Sequence, residues 1–205
     1  MKILRQLYDW VLHWADTPYG APALFVLAFT ESSFFPVPPD PLLMALALGR
    51  REKALAFAAV CTAASVLGAL FGYAIGYWVW WAGPDTFSAV ARFFFDHVPG
   101  FSVGTFRRIQ DLFERWNFWI VFTAGFTPIP YKVFTVAGGA FAVNLPMFLL
   151  ASVVSRGARF FLVAALIWRF GAPIRAFIDR YFDLLAVLFT VLLVGGFILV
   201  KWGLP

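Results

Sequence analysis

The chain has 205 residues, of which 62% are hydrophobic and only 13% charged, whereas soluble domains run about 45–50% apolar and about 25% charged. With a mean hydropathy of +0.82 there is too little charge to coat a soluble globule, which excludes a soluble enzyme, a disordered chain and a nucleic-acid-binding module and leaves an integral membrane protein with a single domain over 1–205. The net charge of +5 then reads as basic loops beside anionic lipid, with a few basic groups left inside.

In chain order, Leu4, Leu7, Val11 and Trp14 recur at helical spacing, with Lys2, Arg5, Asp9, His13 and Asp16 on the other side. This predicts an amphipathic helix over 1–17 lying in the membrane interface. Asp9 and Asp16 interrupt any apolar region of signal-peptide type. Residues 21–49 hold two half-length apolar runs around Glu31-Ser32-Ser33-Phe34-Phe35-Pro36-Val37-Pro38-Pro39-Asp40. A span needs about 20 apolar residues, so this segment reads as a re-entrant hairpin, with one kinked span as the competing reading.

Residues 54–82 predict a full span ending in an aromatic belt of Tyr77, Trp78, Trp80 and Trp81. Gly68, Gly72 and Gly76 line one face of it, a surface another helix can approach closely. Cys61, the single cysteine, has no partner for a disulfide or a metal. Residues 83–116 predict a polar loop with two short interfacial helices, where Asp96-His97 reads as solvated in preference to a proton-handling pair. Residues 118–144 repeat the broken pattern, with Pro128 and Pro130 and then Gly138 and Gly139 as the breaks. Full spans are expected over 146–168 and 184–201, joined by a polar turn over 169–183.

The two broken segments correspond, because Pro36-Val37-Pro38 and Pro128-Ile129-Pro130 are 92 residues apart. On that offset Asp40 matches Lys132, and Glu31 matches Thr123. One full span separates the hairpins, so they enter from opposite sides as an inverted repeat, the plan of many secondary transporters. Proline removes backbone donors, and the freed polar groups are tolerable in a bilayer only when buried in protein or lining a wet cavity. Lys2, Arg5, Arg50, Arg51, Lys53, Arg169, Arg175 and Arg180 fall on one side, against Arg92, Arg107, Arg108, Arg115 and Lys201 on the other. That bias predicts a multi-pass protein with a cytoplasmic N-terminus.

Glu31, Asp40, Lys132, Arg156 and Arg159 remain in or near the membrane, where each charge costs about 2.5–3.5 kcal/mol on insertion scales. They are either structural pairs, a functional site, or pairs that open. Arg156 and Arg159 share one helix face, and guanidinium binds phosphate or carboxylate in bidentate fashion. With Lys132, Ser152 and Ser155 they are the expected head-group ligands. A carboxyl withdrawn from water can exchange a proton near neutral pH, which makes Glu31 the first choice for proton exchange and gating, and Asp40 the second. No nucleophile elbow, glycine-rich phosphate loop or His-rich metal set appears, so neither enzyme chemistry, cofactor nor metal is expected.

Glu31-x4-Pro36-x-Pro38-x-Asp40 resembles the acidic, proline-rich hairpin of the DedA family, also called the SNARE-associated or VTT-domain family. Gly125-Phe126-Thr127-Pro128-Ile129-Pro130-Tyr131-Lys132, followed by Ala137-Gly138-Gly139, resembles its second hairpin, most closely in the YqaA-type branch. Ser155-Arg156-Gly157-Ala158-Arg159-Phe160 fits the helix that follows, so the resemblance covers roughly residues 20–170. It implies an all-α bacterial inner-membrane protein with two opposed re-entrant hairpins. It also implies lipid transport: undecaprenyl phosphate recycling or phospholipid flipping in bacteria, scrambling in eukaryotic relatives, and proton-motive-force dependence for some members. The family's acidic residues map onto Glu31 and Asp40. Where its members commonly carry an arginine before Phe-x-Pro, this chain has Gly125, and Lys132 is the nearest base after that proline.

The leading functional reading is a flippase or scramblase for an anionic, phosphate-bearing lipid, with membrane lipids and protons as partners and no nucleic acid. A small-solute or ion transporter on the same scaffold is the alternative, and a non-transport role in membrane assembly or envelope maintenance is a third. Homo-oligomer formation through the glycine face stays open.

Overall fold

A computed structural model describes residues 17–35, 37–83, 85–99, 101–127 and 129–171. The expected N-terminal helix with His13, the break prolines Pro36 and Pro128, most of the 169–183 turn and the 184–201 span lie outside the described residues.

The described chain is mostly helical. Helix α1 covers Gly20–Ser33 and α2 covers Asp40–Gly49. After a short 3-10 turn, α3 runs over Ala54–Trp80. Two short antiparallel strands follow, β1 over Trp81–Gly83 and β2 over Thr86–Phe87. Next come α4 over Ala89–His97, α5 over Val103–Arg115, α6 over Asn117–Phe126, α7 over Tyr131–Ala140 and α8 over Leu145–Phe170.

Local sequence explains the boundaries. Pro38 and Pro39 cannot continue α1, in whose last turn Thr30 O takes the amides of both Phe34 and Phe35. Pro41 fits the first turn of α2, where its missing N–H costs nothing, and Asp40 places a carboxylate at the positive end of that helix. Pro130 precedes α7. Asn144 caps α8 by accepting the Met147 amide at 3.0 Å. The α7–α8 turn places Ala142 in the left-handed region, φ 50°, while the Ala142 and Val143 amides bond the carbonyls of Gly139 and Gly138.

Among the described residues two helices, Arg51–Trp80 and Leu145–Phe170, are long and apolar enough to cross a membrane. At 27 and 26 residues, α3 and α8 span about 40 Å each, beyond the roughly 30 Å of a hydrocarbon core. They pack against each other and run antiparallel, since Tyr73 in the second half of α3 lies against Phe148 near the start of α8, and Ser65, earlier in α3, bonds Arg156, later in α8.

The four short helices pack on this pair in a swapped pattern. The first arm of each broken pair lies on the long helix that follows it, α1 on α3 and α6 on α8. Of the second arms, α7 lies on α3, the other long helix, while α2 packs against both α8 and α3. Helix α1 runs alongside α3 to its middle, with Phe29 against Gly68 and Ser32 against Gly72. Helix α2 then returns to the Arg50 end. The pair α6–α7 approaches from the opposite end. Gly125 reaches Ser155 near the middle of α8, and α7 returns until Ala140 O meets the Trp81 indole.

Two apolar clusters result. One joins α1, α2, the first half of α3 and the second half of α8 through Leu24, Leu43, Cys61, Phe160 and Ile167. The other joins α6, α7, the second half of α3 and the first half of α8 through Val121, Tyr131, Phe148 and Ala69.

Three sequence expectations are corrected. Gly138 and Gly139 are not breaks; they lie inside α7. There a Cβ on Gly139 would run into the Tyr73 carbonyl, and one on Gly138 would press on the Phe148 ring at 3.3 Å. Glycine here serves close helix approach, a need as common as chain interruption. The aromatic belt is split: Tyr77 and Trp78 are exposed, whereas Trp81 is buried in β1 with its indole N–H donating to Ala140 O at 2.9 Å. The 83–116 segment is more ordered than a loop. Beside its two helices it holds the strand pair and an aromatic cluster of Trp80, Phe87, Phe95, Phe101 and Phe106. His97 stacks on Phe93 and lies 3.0 Å from the Phe93 carbonyl.

Candidate functional site: two arginine–carboxylate pairs between the helix breaks

The charged groups meet between the two apolar clusters. Arg156 Nη2 donates to Glu31 Oε2 at 2.7 Å, with the side chains 2% and 14% exposed. Arg159 makes a fork with Asp40, Nε to Oδ1 at 3.1 Å and Nη2 to Oδ2 at 2.9 Å. Both pairs lie within electrostatic reach of the buried Cys61 thiol, so they form one cluster.

Each arginine joins several elements. Arg156 Nε donates to Ser65 Oγ on α3 at 2.7 Å, and its guanidinium lies over the rings of Tyr131 and Phe160, 5.0 and 4.5 Å from their centroids. Such cation–π contacts add about 2 kcal/mol when desolvated. Arg159 Nη1 also donates to the Thr127 carbonyl at 2.7 Å. That carbonyl sits in the second break, where Pro130 and its neighbours leave acceptors without helical partners. Arg159 therefore ties the start of α2 to the end of α6, the two places where the helices are interrupted.

Hydroxyls complete the packing. Ser32 Oγ lies 2.6 Å from Ser65 Oγ and donates to Glu31 Oε2 at 3.2 Å. Thr135 Oγ1 on α7 reaches the Ser32 carbonyl at 2.9 Å, directly over Gly72. A Cβ on Gly68, Gly72 or Gly76 would run into Phe29, Thr135 or Val136 respectively. The glycine face of α3 is thus filled from within this chain by α1 and α7.

Glu31, Asp40, Arg156 and Arg159 are brought together, and on α8 the two arginines reach the same helix pair, as their spacing predicts. Other expected ligands are placed differently. The Ser152 hydroxyl accepts from Tyr131 Oη at 2.6 Å and donates to Phe148 O at 2.7 Å. Ser155 Oγ donates to Ser152 O at 3.3 Å and is pressed against Gly125. Both hydroxyls are buried and spent on protein partners, so in this arrangement neither is presented to a head group. Lys132 is half-buried on α7, and its ammonium has no hydrogen-bond or ion-pair partner among the described residues. Asp40, its repeat counterpart, pairs instead with Arg159. A side chain at Gly125 would run into the Ser155 hydroxyl and force it to move. The charge at that break comes from Arg159. Ser32, Ser65 and Thr135 carry no chemical motif; the one signal for them was the serine beside the glycine stripe. Among the described residues no group of three His, Cys, Asp or Glu could hold a metal ion.

The chain is 32% identical over 201 residues to an uncharacterized protein of Haemophilus influenzae, covering 98% of this chain and 100% of that one. It is 33% identical over 188 residues to an uncharacterized protein of Histophilus somni, covering 87% of this chain and 91% of the other. This chain belongs to their family. No family model matches it, and no solved structure matches it. At 98% of this chain, the region shared with the Haemophilus influenzae protein takes in both broken helix pairs and both long helices.

Proposed function

We propose that this protein is a multi-pass inner-membrane protein of the DedA type that moves an anionic, phosphate-bearing lipid between leaflets. In this reading α3 and α8 cross the bilayer with the N-terminus cytoplasmic, and α1–α2 and α6–α7 are re-entrant hairpins from opposite faces, forming an inverted repeat. The observation that carries the proposal is the pair of arginine–carboxylate contacts at the meeting point of the two breaks. Charges at membrane depth are costly and mark pathways. Replacing such pairs by apolar groups is often neutral or stabilising, so stability alone does not explain them.

Arg156 and Arg159 are closed by carboxylates in the resting arrangement. A phosphate monoester or diester offers the same two-oxygen geometry as a carboxylate. Exchange of carboxylate for phosphate gives the head group a polar site at mid-depth while the lipid tail stays in the bilayer. Lys132 supplies a long-range charge that draws anionic head groups toward the second break.

The test is reconstitution into liposomes with fluorescent polyprenyl phosphate or phospholipid and an impermeant quencher, with and without a pH gradient. The wild type should speed quenching of inner-leaflet lipid, and a folded Arg156→Ala variant should not. A wild type no faster than empty liposomes with every anionic lipid overturns the proposal in favour of solute transport or membrane assembly.

A further inference from the structure

We infer that Ser65 and Ser32 are positioning residues that relay the hold of Arg156 onto Glu31 across three helices. The inference rests on the reading above that the Arg156–Glu31 pair opens during function. The four residues form a ring: Arg156 Nε to Ser65 Oγ at 2.7 Å, Ser65 Oγ to Ser32 Oγ at 2.6 Å, Ser32 Oγ to Glu31 Oε2 at 3.2 Å and Arg156 Nη2 to Glu31 Oε2 at 2.7 Å.

Donor chemistry fixes the direction around this ring. Guanidinium only donates and an ionised carboxylate only accepts. Ser65 therefore receives its bond from Arg156 and gives its proton to Ser32. Ser32 in turn gives its proton to Glu31. Each hydroxyl is polarised by the charged group before it and the one after it, which strengthens both bonds. Both serines are fully buried, so water does not stand in for either. Loss of acceptor strength at Glu31 weakens the Nη2 bond directly and the Nε bond through the serines. Arg156 is then released by one event instead of two. In the Asp40–Arg159 pair the fork holds both Asp40 oxygens directly, without a serine between them. The charged and titratable groups around Glu31 are Arg156 and Arg159 on α8, Cys61 on α3 and Tyr131 on α7, with Asp40 of α2 within electrostatic reach of Cys61.

Dicyclohexylcarbodiimide reacts with carboxyls in their protonated form in apolar surroundings, and it reads this relay without any transport assay. The purified full-length protein is labelled at fixed pH, and adducts at Glu31 and Asp40 are measured separately by mass spectrometry. Ser65→Ala and Ser32→Ala should each raise Glu31 labelling roughly fivefold, the equivalent of one hydrogen bond. Asp40 labelling should not change. The double variant should match either single, because each breaks the same ring. Thr62→Ala, whose hydroxyl bonds Ala58 O within α3, should match the wild type. Equal rises at Glu31 and Asp40 would mean general loosening and would overturn the relay. So would singles that multiply in the double, or no change at Glu31. Ser65 and Ser32 lie on different helices, so either variant alone decides the question if the other does not fold. Liposomes in which the wild type moves no lipid would remove the transport reading while leaving the labelling result standing.

Discussion

Removing the Asp40 charge should destabilise the protein more than removing its arginine. In Asp40→Asn the Arg159 guanidinium keeps its bond to Thr127 O but loses a counter-charge in a site where its side chain is 11% exposed. Breaking a buried pair by removing one partner costs about 3–5 kcal/mol. For a chain of this size each kcal/mol moves the unfolding midpoint by about 2–4 °C, so a fall of roughly 6–20 °C is expected. In Arg159→Met the Asp40 carboxylate is left instead, and a carboxyl can take up a proton while a guanidinium cannot shed one. That variant should therefore lose less. The double variant Asp40→Asn/Arg159→Met leaves no uncompensated charge and should return to within about 1–2 kcal/mol of wild type. Thermal unfolding in detergent micelles, followed by circular dichroism at one scan rate, orders the four proteins. The double variant, though folded, should move no lipid if Arg159 binds a head group. A double variant as unstable as the summed singles would refute the argument from uncompensated charge. A stable and fully active one would confine Arg159 to structure.

Lys132→Gln should leave the unfolding midpoint within about 1 °C, since no described partner is lost, yet slow movement of anionic lipid more than of zwitterionic lipid; equal slowing of both would remove its steering role. Gly76→Leu should destabilise by about 3 kcal/mol or more, because the obstruction is the Val136 backbone and not a side chain that can turn away; an unchanged midpoint would contradict the α3–α7 approach. Ala142→Gly should stabilise by about 1 kcal/mol by relieving the left-handed alanine, read as a higher midpoint with unchanged lipid movement.

Proline and length made the backbone plan legible. Short apolar runs on either side of Pro38 and Pro130 become the broken pairs α1–α2 and α6–α7, and the 27 and 26 residues of α3 and α8 follow from uninterrupted apolar stretches. The pairing was not legible. Glu31 and Arg156 are 125 residues apart, and Asp40 and Arg159 are 119 apart, so only the swapped packing decides which carboxylate meets which arginine. Matching Asp40 to Lys132 by the repeat identified equivalent positions, which a swapped arrangement keeps apart. Gly138 and Gly139 read as breaks because a glycine that lets α3 approach gives the same signal as one that ends a helix. The strand pair is not legible, because segments of three and two residues are too short to show alternation.

The 92-residue offset carries further than the prolines. Moved by that amount, α2 falls on 132–141 and α3 on 146–172, against observed ranges of Tyr131–Ala140 and Leu145–Phe170. Charge does not follow this symmetry. Both carboxylates lie in the first half, at Glu31 and Asp40, and both arginines lie in the second, at Arg156 and Arg159. Position 157, the counterpart of Ser65, is glycine, so even the serine relay belongs to one half. Each half alone would carry uncompensated charge in its interior, and only their docking neutralises it. Both ion pairs cross the same boundary, from the first helix pair to α8. A movement that separates these elements must uncover both guanidiniums together. Arg156 then keeps its contact with Tyr131 on α7, and Arg159 keeps Thr127 of the second break. The exposed arginines thus stay mounted on the second half while the carboxylates leave with the first, the condition for an incoming anion to replace them.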